Sequence, residues 1–169
     1  MTNEQLTEFW KEYYRKINTY YYAIVFVPLI LFAIKYIQLY AIFNKGGEEL
    51  RAKMLSNPSM LTFWSSLVLM LVIQLLYYKN IKANLAIKEL VAKLKQHKKT
   101  FLQYTIILQV FAFIIVILLY FIDFPILAVI YGIILAVSSM QRPSYLRIFK
   151  IVKLSKDHKK ALLGLPNDK

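Results

Sequence analysis

The chain has 169 residues, of which 59% are apolar and 15% aromatic, with four Gly, no Cys and a formal net charge of +13. That apolar fraction is more than a soluble domain of this length needs and points to a membrane protein. The missing Cys excludes disulfides, thiolate metal sites and cysteine nucleophiles, and the meaning of the charge depends on where along the chain it sits.

Residues 3–20 place Leu6, Phe9, Tyr13, Ile17 and Tyr20 at three- and four-residue spacing, with Glu4, Glu8 and Glu12 on another stripe. This predicts an amphipathic helix over about 3–19 that leads into the first apolar run, residues 20–43. The run is 24 residues long and lies behind 19 mostly polar ones, so it reads as a retained anchor rather than a cleaved signal. Pro28 interrupts it and is expected to kink it.

Asn44-Lys45-Gly46-Gly47 and Ser56-Asn57-Pro58 are turn signals that bracket a short polar stretch before a second apolar run, residues 60–78. Residues 79–99 follow, with seven Lys and one Glu. Ala83, Ile87, Leu90, Val91 and Leu94 fall on one helical face there, which predicts a basic helix on the inner surface or projecting from it. A third run spans 101–122, and Asp123 with Pro125 marks a tight turn into a fourth over 124–140 or 141. The first three runs match the roughly 20 residues that cross a bilayer, whereas the fourth crosses only with little tilt. Pro143 marks the end of the fourth helix.

Charge sets the orientation. Lys and Arg number three in residues 1–17, seven in 79–99 and eight in 142–169, 18 in all, against three in 44–58. With four spans, the first three segments share one side, so both termini are expected in the cytoplasm. The basic clusters then abut the inner leaflet, where each cation gains roughly 1 kcal/mol from anionic lipid. Lys88, Lys95, Arg147, Lys150 and Lys153 are the expected lipid or partner contacts, and nucleic acid is not needed to explain the charge.

In YLRIFKIVKLSK, residues 145–156, Arg147, Lys150, Lys153 and Lys156 recur three apart. The stretch SYLRIFKIVKLSK resembles the fourth segment of voltage-sensor domains, and four spans is the number such a domain has. The resemblance covers about a dozen residues and implies charges that each couple to about 2.3 kcal/mol per 100 mV, given acidic partners in the other helices. Residues 20–43, 60–78 and 101–122 contain no Asp or Glu. Inserting the four cations unpaired would cost roughly 10 to 14 kcal/mol, against about 2 to 4 returned by the six strongly apolar residues among them. An interfacial helix over residues 144–154 is therefore expected, with Leu146 and Leu154 off its pattern. Ser155 is expected to cap a last short helix ending at Leu163.

Within the runs, Lys35 is expected near the outer end, where it snorkels and faces Asp123 as an ion-pair partner. Gln38, Gln74, Gln103 and Gln109 are expected to join helices more than to line a hydrated path. Ala128, Gly132 and Ala136 repeat every four residues and form the expected helix-packing face, within the bundle or with another subunit. His97 and His158 lack companions at metal-ligand spacing. No base is evident for Ser65, Ser66, Ser138 or Ser139, and no second acid for Asp123. No catalytic set, metal or cofactor is expected.

The sequence thus predicts an all-α integral membrane protein, a single bundle of four transmembrane helices with amphipathic cytoplasmic segments at 3–19, 79–99 and 144–163, in the inner or plasma membrane. The expected role is an accessory or scaffolding subunit, with anionic lipid and other membrane subunits, or itself, as partners. A small channel or transporter subunit is the alternative.

Overall fold

A computed structural model describes residues 2–43, 52–122 and 124–164. Among them there is no strand, and six helices have eight residues or more: α1 (Asn3–Phe43), α2 (Asn57–Asn84), α3 (Leu90–Phe121), α4 (Ile126–Met140), α5 (Tyr145–Val152) and α6 (Lys156–Leu163). Three of them, Glu4–Gln38 within α1, α2 and α3, are long and apolar enough to cross a membrane. A fourth crossing requires α4 and α5 to be counted together as a pair bent by 80°. α4 alone has 15 residues, about 22 Å of helix, shorter than the run from which it was expected.

α1 begins with a reciprocal cap: the Gln5 amide donates to Thr2 Oγ1 at 3.3 Å, and the Thr2 amide donates to Gln5 Oε1 at 3.0 Å. It continues for 41 residues through the buried Pro28, so the amphipathic segment and the first apolar run are one helix. A stripe at three- and four-residue spacing, Trp10, Tyr13, Ile17, Tyr21 and Val25, is buried along it. Tyr20, expected on that stripe, is exposed and its place is taken by Tyr21. Leu6 and Phe9 pack at the edge, and Glu4, Glu8 and Glu12 face out.

α3 is the central helix, touching α1, α2 and α4. Leu94, His97, Phe101, Tyr104, Leu108, Ala112, Ile115 and Leu119 are buried along it, so three neighbours share a wide stripe rather than a narrow seam. α2 has Pro58 in its first turn, where the missing amide costs nothing. It buries only Ser59, Ser66, Met70, Tyr77, Ile81 and Asn84. The Asn84 amide donates to Thr100 Oγ1 at 2.8 Å and fastens its end to α3.

Residues 79–99 do not form one helix. α2 ends at Asn84, residues 85–89 turn the chain, and α3 starts at Leu90. Ala83 is consequently exposed, Ile87, Leu90 and Val91 are half-buried, and only Leu94 of the expected face is in the core. A single-helix reading misses the turn because it contains neither Gly nor Pro; the buried Asn84, bonded to Thr100, marks where the two helices pair, and His97 bonds to Tyr13 of α1.

After α4 the chain bends at Arg142-Pro143-Ser144. Ser144 caps α5 by accepting from the Arg147 amide at 3.3 Å, and Ser155 caps α6 by accepting from the His158 amide at 3.2 Å. α5 is shorter than the expected 144–154, because Lys153 takes a left-handed conformation (φ 51°) and the Leu154 amide donates back to the Phe149 carbonyl at 3.2 Å. Leu146 is 82% exposed, off the packed face as its position predicts, while Leu154 is buried beyond the helix end.

Candidate functional site

The two terminal segments meet at one end of the molecule in an aromatic cap. Trp10 of α1 lies 5.2 Å from the Phe149 ring and 5.4 Å from the Tyr13 ring, Tyr14 stacks on Tyr145 at 3.9 Å, and Leu162 of α6 is fully buried. The Thr7 hydroxyl donates to the Ala161 carbonyl at 3.0 Å. The Tyr13 hydroxyl lies 2.6 Å from His97 Nδ1, both buried. Burial pushes the His97 ring down to about 4 and raises the Tyr13 phenol, with Tyr77 adding to the latter. His97 Nε2 and Trp10 Nε1 have no hydrogen-bond partner among the described residues.

The 80° bend at Pro143 lays α5 across the end of the bundle and leaves a cleft between it, the C-terminal half of α2 and the end of α4. This open cavity is about 1200 Å³. Lys82, Arg142, Arg147, Lys150 and Lys153 line it, and no Asp or Glu does. Its apolar wall includes Tyr77, Tyr78, Ile81, Leu85, Met140 and Ile151. Arg147 is half-buried, whereas Lys82, Lys150 and Lys153 are exposed. Lys82 Nζ sits 4.8 Å from the centre of the Tyr78 ring, and the Arg142 guanidinium 5.5 Å from that of Tyr22. Gln141 is buried on the cavity wall, and its Oε1 has no partner among the described residues.

Of the residues expected to contact lipid or a partner, Arg147, Lys150 and Lys153 come together here, while Lys88 and Lys95 are exposed and stand outside the cleft. Sequence reasoning missed Lys82, Arg142 and Gln141. The signal for Lys82 was its place one turn after Tyr78, and for the other two their place directly before Pro143.

The amides inside the apolar runs join helices where they are buried. The Gln109 Nε2 donates to Ser138 Oγ at 2.7 Å, linking α3 to α4, and Gln74 donates to the Tyr104 hydroxyl, linking α2 to α3. The Tyr21 hydroxyl donates to the Ser138 carbonyl at 2.6 Å and adds α1 to the same point. Gln38 and Gln103 are exposed.

Lys35 is half-buried, with Nζ 5.4 Å from the centre of the Tyr120 ring; Asp123, its expected partner, lies outside the described residues. Ala128 packs at the edge of the core, whereas Gly132 and Ala136 are exposed and a Cβ at Gly132 would meet nothing within 4 Å. The small-residue face therefore does not pack within the bundle beyond Ala128.

Among the described residues no three His, Cys, Asp or Glu side chains come close enough to hold a metal ion. No protein-family model, no curated protein and no solved structure matches this chain.

Proposed function

We propose that this chain is a four-span protein of the inner or plasma membrane with both termini in the cytoplasm. On this reading it is a small accessory or scaffolding subunit that holds anionic lipid or a cytosolic partner through its basic segments. The observation that carries the reading is the cap. Residues of the N-terminal segment, the 79–99 region and the C-terminal segment pack on one another, so the two most basic parts of the sequence, 79–99 and 142–169, meet at one end of the molecule. A cation-rich end of this kind belongs on the cytoplasmic side.

The outward faces of the long helices support membrane insertion. On α2, Leu61, Trp64, Leu71 and Leu75 are each more than 60% exposed; in water such a surface would aggregate, whereas lipid chains solvate it. The interhelical use of Gln74 and Gln109 favours the subunit reading over a channel, since their amides are engaged with Tyr104 and Ser138.

The absence of Cys makes single-cysteine labelling direct. An impermeant maleimide is expected to label Ala52→Cys in intact cells and Lys88→Cys only after permeabilisation; the reverse pattern sinks the orientation. Purification in mild detergent is expected to bring down a stoichiometric partner. A lone homo-oligomer that conducts ions in liposomes would overturn the subunit role.

A further inference from the structure

The cleft under α5, together with the outward face of α2 that leads away from it, has the polarity profile of one amphiphile. On α2, Leu71, Leu75, Tyr78 and Lys82 follow one another along one helical face at four-, three- and four-residue steps. The series passes from aliphatic side chains, 62% and 68% exposed, through an amphipathic ring to a cation that lies over that ring. α5 faces the cationic end with Arg147 and Lys150, and Arg142 stands at the rim. Among the described residues none of these four cations has a carboxylate within ion-pair distance. A half-buried guanidinium without a carboxylate is a strong recognition element for a phosphate, which it binds through two parallel hydrogen bonds.

We infer that this cleft is a built site for a single anionic phospholipid of the inner leaflet, its phosphate held by Arg147, Lys150 and Lys82 and its acyl chains running along α2 past Tyr78 to Leu75 and Leu71. The inference rests on the membrane reading above and sharpens it: a general basic surface attracts many headgroups in exchange, whereas this cleft takes one. Free phosphate shares the headgroup chemistry but leaves the apolar half of the cleft empty. A cavity of about 1200 Å³ is somewhat larger than the roughly 300–1,000 Å³ that encloses small ligands, enough for a headgroup with its glycerol.

Native mass spectrometry of the detergent-purified full chain tests this, with phosphatidylglycerol and phosphatidylcholine of identical chains as probes. The expected result is a one-to-one adduct with phosphatidylglycerol, reduced at least tenfold in Arg147→Gln/Lys150→Gln and changed less than twofold in Lys88→Gln/Lys95→Gln, which removes the same charge outside the cleft. Lys82→Gln/Lys150→Gln, both at exposed positions, gives the same loss without touching the half-buried Arg147, and Arg147→Lys retains part of the binding. Equal loss in the two charge-matched variants, equal binding of phosphatidylcholine, or displacement of the lipid by millimolar inorganic phosphate each overturns the proposal. The labelling experiment is independent: an absent adduct with the expected labelling removes the lipid site alone, and inverted labelling with a retained adduct removes the orientation alone.

Discussion

The Tyr13 hydroxyl and His97 Nδ1, 2.6 Å apart and both buried, join the N-terminal part of α1 to that of α3 inside the aromatic cap. In the neutral tautomer that carries its proton on Nε2, the hydroxyl donates to Nδ1. A second proton would go to Nδ1, reverse this bond and put a positive charge on a buried ring whose Nε2–H has no acceptor among the described residues, beside a small cavity that Lys93 also lines.

The pair makes stability depend on pH in one direction. Burial lowers the His97 pKa from 6.5 to about 4 in the folded protein, so the unfolded chain binds the extra proton first. Its contribution is intact above pH 6.5 and is lost as the pH falls toward 4, a difference on the order of 3 kcal/mol. Melting followed by circular dichroism in detergent should show this loss in the wild type. His97→Gln is expected to be less stable at pH 7.5 but to lose less on acidification; parallel pH profiles for the two proteins would disprove the assignment.

Tyr13→Phe keeps the ring against Trp10 and removes only the hydroxyl, leaving Nδ1 buried without a donor. The expected cost is about 1 to 3 kcal/mol. Thermal unfolding at pH 7.5 measures it, and a loss below about 0.5 kcal/mol would mean that the ring alone matters.

The bond from Gln109 to Ser138 links α3 to α4 in the buried core. A double-mutant cycle with Gln109→Leu and Ser138→Ala is expected to give a coupling of about 0.6 to 1.7 kcal/mol. The value is small because an amide in an apolar medium finds other partners when the first is removed. Additive effects would argue against the contact.

Lys153 is the one non-glycine residue with a positive φ among the described residues. Lys153→Gly and Lys153→Ala remove the same charge, but only the first relieves the left-handed backbone. The glycine variant should be the more stable by about 1 kcal/mol, which chemical denaturation of the two purified variants can resolve.

Gly132 lies in the middle of α4 and faces open space, so Gly132→Ala should stabilise the protein by up to about 1 kcal/mol through helix propensity alone, and a loss is not expected. A loss that appears only at concentrations where the chain self-associates would show that this face is covered by a second copy.

Much of the helical layout is legible in the sequence because apolar runs of bilayer length, bounded by Pro or polar turns, leave few alternatives. The caps at Ser144 and Ser155 are legible for a local reason: a hydroxyl before a helical pattern satisfies a free amide wherever the rest of the chain lies. The turn at 85–89 is hidden because it lacks turn residues, and its position is fixed instead by Asn84 and His97 finding partners on other helices. The cleft is only half legible. The cations of α5 stand out by their spacing, whereas Lys82, Arg142 and Gln141 join them through the bend after α4, an angle that no local pattern states. Tyr14 stacking on Tyr145 is likewise a relation between the two ends of the chain, beyond the reach of periodicity.

From Asn3 to Val27, α1 contains neither Pro nor Gly, so about 37 Å of unbroken helix runs from the cap into the apolar layer. Such a segment behaves as a stiff lever. Whatever grips the cap at Trp10 and Thr7 therefore tilts the buried stripe at Tyr21 and Val25 with it.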